Sequence, residues 1–129
     1  MNGVIWVLEY ILVVNVIGLA LLCLGAFAAL VSAIGFHRFK NFYLRLHAAT
    51  IGAIWGTVFP LVGAALVAIT IGELGAYKWF VFGASLVAAV IVLFLAPAGS
   101  HALARGVHKA KVARVKPCIA DKLDPELCG

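Results

Sequence analysis

The sequence predicts an all-α integral membrane protein with three transmembrane helices. Three observations carry that reading. The chain has 129 residues, of which 65% are hydrophobic and only 12% charged. Its mean hydropathy is +1.14, and no soluble core of this length needs so much apolar surface. Residues 10–37, 46–72 and 79–104 contain no Asp, Glu, Lys or Arg. Each of these runs exceeds the roughly 20 residues that a helix needs to cross a bilayer. Helices are the expected spanning form, because a backbone in lipid must satisfy its own polar groups. The alternation of an outer-membrane barrel is absent.

The first helix is expected over about residues 6–36. Its leading residues, Met1-Asn2-Gly3-Val4, carry no basic group and the apolar run is long, so it reads as a span and not as a cleaved signal peptide. Gly18, Leu22, Gly25, Ala29 and Ser32 form a mostly small-residue set along it. Cys23 reads as a small packing residue.

Residues 35–50, Gly-Phe-His-Arg-Phe-Lys-Asn-Phe-Tyr-Leu-Arg-Leu-His-Ala-Ala-Thr, follow. Phe36, Phe39, Phe42 and Tyr43 stand among His37, Arg38, Lys40 and Arg45. Aromatic rings and cations together suit headgroup depth, so this segment reads as a turn held at a membrane surface. Arg38 and Arg45 are expected to hold that turn and a neighbouring subunit in register, because a guanidinium presents five donors in a rigid fork. His47 lies two residues further on and is a candidate contact for another partner. The bland reading makes both arginines ordinary topology-setting charges.

The second helix is expected over about 46–71. Ala48, Gly52, Gly56, Pro60, Ala64 and Ala68 recur every four residues. Gly52 and Gly56 make a GxxxG pair, which lets helix backbones approach closely. Pro60 removes a backbone donor and is expected to kink the helix. The stripe could serve this chain's own bundle or a foreign subunit. The third helix is expected over about 79–103. Beyond it, residues 110–129 read as a cytoplasmic tail, in which Cys118 and Cys128 are by default free thiols.

Orientation follows from the basic residues. Arg38, Lys40 and Arg45 mark one connection, and Arg105, Lys109, Lys111, Arg114 and Lys116 the C-terminal segment. The other connection has Lys78 offset by Glu73, and the N-terminus has Glu9 alone. Positive residues stay cytoplasmic, so the N-terminus is expected outside and the C-terminus inside. The net charge of +5 then serves topology and the anionic lipid surface. Nucleic-acid binding is disfavoured, because no stacking platform accompanies the tail.

Ion transport requires polar or ionisable groups near the bilayer midplane. The midpoints of the runs are Leu22-Cys23, Phe59-Pro60 and Ala89-Val90. Asn15, Ser32, Thr50, Thr57, Thr70 and Ser85 complete the polar inventory, with His47 and His101 near the cytoplasmic ends. This suits a chain that packs on partners. Glu9 is either a cation-handling carboxylate at the outer entrance or an interfacial residue facing water. His101 and His108 read as surface residues, and the four histidines are too scattered for a metal site. No catalytic role and no cofactor are expected.

Residues 35–48 resemble the signature of the G subunit of multisubunit Mrp-type monovalent cation/proton antiporters. That family typically reads Gly-x-x-Arg-Phe-Pro-Asp-x-Tyr-x-Arg-Leu-His-Ala. Gly35, Arg38, Phe39, Tyr43, Arg45, Leu46, His47 and Ala48 match it. A second likeness is Pro97 followed by small residues and His101-Ala102-Leu103-Ala104-Arg105. The resemblance spans nearly all of residues 10–110. Lys40-Asn41 depart from the usual Pro-Asp, and the tail from Ala110 lies outside the common pattern.

The resemblance implies a non-catalytic accessory subunit in the cell membrane that helps form the cation-translocation region. Its implied partners are small E- and F-like and large A/B/D-like subunits. It also admits a host among archaeal hydrogenase-like or sulfur-reducing complexes, which contain related modules. Two other classes stay open: a small homo-oligomeric transporter using Glu9, and a non-transporting anchoring subunit. Purification separates them, by co-elution with many subunits or as a functional homodimer.

Overall fold

A computed structural model describes residues 2–112. Cys118, Cys128 and most of the expected tail lie outside the described residues. Three long helical segments dominate. Helix α1 covers Asn2–Arg38, and helices α2 (Phe42–Ala53) and α3 (Phe59–Thr70) are joined by a π turn at Ile54–Val58. Helix α4 covers Tyr77–Lys109. Three spans, Gly3–Arg38, Phe42–Thr70 and Tyr77–Lys109, are long and apolar enough to cross a membrane. At ~1.5 Å per residue even the shortest exceeds the ~30 Å hydrocarbon core.

The spans form a slab and not a triangle. The middle span packs against α1 on one side and α4 on the other, while α1 and α4 hardly meet. Among the described residues no large side chain is fully buried, and Ala48, Ala65, Ala68 and Ala89 make up the buried apolar core. Within the most apolar window of each span, at most 17% is buried. Most of the surface therefore faces lipid or neighbours, and close backbone approach replaces the interdigitated core of a soluble bundle.

The connection between α1 and α2 is shorter than the expected one between about residues 36 and 46. Only residues 39–41 lie outside helix. Phe39 N–H still donates to Gly35 O at 3.0 Å, and Arg45 N–H already donates to Asn41 O at 3.0 Å. Asn41 takes the N-cap position of α2 in an extended conformation. The reason for the difference is chemical: after Gly35 the stretch contains no further Gly and no Pro, so its aromatic and basic residues extend the two helices.

The opposite connection is a 3₁₀ turn over Gly72–Leu74 closed by Gly75. Gly75 has φ +54°, a conformation that glycine adopts without a Cβ penalty. Around it stand Tyr77, Lys78, Trp79, Phe80 and Phe82. Tyr77 stacks near Phe80 with centroids 5.5 Å apart, and Lys78 Nζ lies 5.8 Å from the Trp79 ring centre. Such aromatic clusters belong at a membrane interface.

Helix α4 continues through Pro97 and ends beyond the expected residue 103. Its stop is a Schellman motif. Lys111 has φ 53°, its N–H donates to His108 O at 3.1 Å, and Val112 N–H donates to Val107 O at 3.4 Å.

Candidate functional site

The helices build a seam, a joint and a cleft. The seam runs along α1 where it meets the middle span. Gly18 and Gly63 bring two backbones together: a Cβ on Gly63 would stand 2.6 Å from Gly18 O and 3.1 Å from Leu22 N. One turn further, Gly25 receives the ring of Pro60. A Cβ on Gly56 would stand 3.0 Å from Ala29 Cβ, and one on Gly52 would collide with Ser32 Oγ. Ser32 Oγ donates across the seam to Ala48 O at 2.6 Å.

Gly52, Gly56 and Pro60 thus face α1, where Gly25, Ala29 and Ser32 receive them. The four-residue stripe does not continue unchanged. Beyond Pro60 it is Gly63 and Val67, and not Ala64, that meet α1 at Gly18. The π turn lies directly before this change. Pro60 has no N–H to give the preceding turn, and a π turn is a known local response to such a break in the ladder.

The joint is held by Arg45. Its Nε donates to Phe39 O at 2.5 Å, satisfying a carbonyl that the end of α1 leaves without a helical partner. Arg38 is exposed and makes no hydrogen bond or ion pair among the described residues. His37 Nδ1 meets Ala33 O at 2.9 Å, one turn back on its own helix. Glu9 is exposed on α1. Cys23 is exposed as well, so it does not pack within this chain as the sequence suggested, because its helix face points away from the seam.

The cleft was not visible in the sequence. Tyr43, Leu46, His47 and Thr50 of α2 and Pro97, Ser100, His101 and Ala104 of α4 line a space of about 240 Å³. Two of the four histidines thus share one site, and both are exposed, His101 as the sequence suggested. Thr50 Oγ1 donates to Leu46 O at 2.8 Å, and Ser100 Oγ donates to Pro97 O at 2.9 Å. Both hydroxyl protons are therefore committed to backbone. No cluster of three or more potential metal ligands occurs among the described residues.

Asn15 adds one orphan. Its Oδ1 is buried without a hydrogen-bond partner among the described residues. In an apolar span an unpaired amide oxygen is costly, and its position one turn before Gly18 puts it near the end of the seam.

Comparison with known proteins bears on this arrangement. A family model described as Na+/H+ antiporter subunit, covering the PhaG, MnhG and YufB proteins, matches residues 21–108. UPF0091 protein RC0354 of Rickettsia conorii is 33% identical over 83% of this chain and 93% of its own length. Putative antiporter subunit mnhG2 of Staphylococcus aureus strain JH9 is 30% identical over 74% of this chain and 61% of its own length. A chain in the structure of the Mrp complex from Dietzia sp. DQ12-45-1b superposes with a TM-score of 0.61 at 24% identity, over 90% of this chain and 97% of that one. At that identity the likeness is one of fold. The family match includes the joint, the seam from Leu22 onward and both walls of the cleft, and on that evidence the chain belongs to the Na+/H+ antiporter subunit family.

Proposed function

We propose that this chain is a small accessory subunit of a multisubunit Mrp-type monovalent cation/proton antiporter. It shapes the cation-translocation region together with neighbouring subunits and does not contain a pathway itself. The observation that carries this reading is the family match over residues 21–108, combined with a slab that leaves most of its apolar surface uncovered by its own chain. The middle of each span supplies no ionisable group suited to a proton or sodium path, so an ion would need side chains from elsewhere.

The partners are small E- and F-like and large A/B/D-like membrane subunits in the cell membrane. The N-terminus lies outside and the joint at residues 39–41 faces the cytoplasm, in accord with its basic residues. A stand-alone antiporter is the host the family description favours over a hydrogenase-like complex. In this setting Arg38 and Arg45 face a partner at the cytoplasmic surface, while His47 lies on a different side of α2.

Reconstitution tests the reading. The chain alone in liposomes with an imposed proton gradient is expected to show no sodium-dependent dissipation, whereas the co-purified complex shows it and loses it when this chain is omitted. Robust antiport by the chain alone overturns the accessory role and favours a homo-oligomer using Glu9. Co-purification with nickel–iron hydrogenase subunits replaces the stand-alone host.

A further inference from the structure

We propose that the cleft between α2 and α4 is a binding site for the phosphate of an anionic phospholipid. The inference stands apart from the antiport reading, since it concerns a lipid and not the transported ion.

Charge is the first support. The slab's antiparallel order puts the end of α1, the start of α2 and the end of α4 at one end of the molecule. Arg38, Lys40, Arg45, Arg105, Lys109 and Lys111 all lie there. The two carboxylates among the described residues, Glu9 and Glu73, lie in the early turns of α1 and in the opposite connection. The cleft therefore opens in a cationic region where no acid among the described residues competes for its donors. Basic pockets between transmembrane helices are a recurrent way to hold anionic headgroups.

Donor chemistry is the second. The Thr50 and Ser100 hydroxyls are turned to backbone carbonyls, so they do not serve an anion. The phenol of Tyr43 and the rings of His47 and His101 remain. Each presents an N–H or O–H, and they come from both walls of one cleft. A phosphate has several acceptor oxygens and can be reached from both sides at once, whereas a zwitterionic headgroup also brings a cation into a cationic region.

Depth is the third. His101 stands eight residues before the end of α4, roughly 12 Å along its axis. Helix α4 is roughly 50 Å long against a hydrocarbon core of ~30 Å, so about 10 Å emerges at each side if it is centred. His101 then sits close to the hydrocarbon boundary, where a lipid phosphate can approach while its chains stay in the bilayer. A volume of about 240 Å³ equals roughly eight water molecules, enough for a phosphodiester.

The test uses the full-length chain in detergent micelles doped equally with phosphatidylglycerol and phosphatidylcholine, with retained lipid counted by native mass spectrometry. Retention of phosphatidylglycerol is expected to exceed that of phosphatidylcholine by roughly tenfold, the scale of one hydrogen bond to a charged group. The pair His47→Leu and His101→Leu is expected to remove most of this preference. Lys78→Gln, at the opposite end of the slab, is expected to change it by no more than about twofold. Equal retention of both lipids, or an undiminished preference in the double variant, overturns the proposal. Displacement by millimolar inorganic phosphate also overturns it, because the site then takes a soluble anion. Circular dichroism reports the fold of each variant. Should the double variant misfold, Tyr43→Phe removes a single oxygen, and unchanged preference there counts against the site.

Discussion

Gly63→Ala tests whether the seam is held by backbone contact. The added Cβ would stand 2.6 Å from Gly18 O and 3.1 Å from both Leu22 N and Leu22 Cγ. Two of these three atoms are backbone of α1, so no rotamer change relieves the clash. Reaching the 3.4 Å at which ordinary contact begins requires the helices to part by about 0.8 Å. A gap of that size forfeits roughly a quarter to a half of the dispersion energy of each affected contact. Forced methyl groups in packed interiors typically cost about 1–3 kcal/mol. Alanine also gains about 1 kcal/mol of helix propensity over glycine, which would mask part of the loss. Gly83→Ala on α4 removes this ambiguity, because a Cβ there meets nothing within 4 Å. The difference between the two variants is then expected to be about 1–3 kcal/mol in favour of Gly83→Ala. The measurement is unfolding by increasing sodium dodecyl sulfate in mild-detergent micelles, followed by far-UV circular dichroism. Coincident unfolding curves for the two variants would refute the reasoning, and with it the seam as the main contact of α1.

Three further outcomes are expected. Ser32→Ala should cost about 1 kcal/mol or less, as interhelical hydrogen bonds in membranes do. In the same unfolding assay Gly52→Ala should cost more, and adding Ser32→Ala to it should recover only part, because Ser32 Cβ would still lie 2.7 Å from the new methyl. Arg45→Lys keeps the charge and loses the Nε bond to Phe39 O. Its cost should be about 1 kcal/mol or less at this exposed position, yet hydrogen exchange at residues 39–42 should accelerate, and unchanged exchange would deny Arg45 its holding role. For topology, a cysteine placed at Gly75 should react with an impermeant reagent in intact cells and one at Lys40 should not; the reverse pattern inverts the proposed orientation.

The three spans were legible because absence of charge over a bilayer's width is a signal of composition and length, independent of packing. The ends of the helices were less so. Residues 42–45 look like a surface turn because aromatic and basic side chains dominate them, yet none of those residues breaks a helix. Gly52, Gly56 and Pro60 could be marked as a face, but the sequence does not say which face of which helix receives them. Gly25 and Pro60 are 35 residues apart and meet only because α1 and the middle span lie antiparallel. The His47–His101 cleft is hidden for the same reason: 54 residues separate its walls. Its hydroxyls gave no hint either, since Thr50 and Ser100 in a helix bond to carbonyls of their own turn.

The π turn makes residue number itself a structural quantity. An α-helix advances about 100° per residue, and residues spaced by four drift steadily around it. The wider turn at Ile54–Val58 takes up about one extra residue in the middle of the span, and Gly52 before it and Gly63 after it both touch α1. Deleting any one residue between 54 and 58 would let the turn close into ordinary helix. The halves on either side would then keep nearly their present facing, because a π turn holds about one residue more than the α turn it replaces. Ala48 and Gly52 on one side, and Gly63 and Val67 on the other, would stay in the seam. A single deletion elsewhere in the span would turn the following part by about 100°, so residues 54–58 are where the middle span should best accept a loss of length.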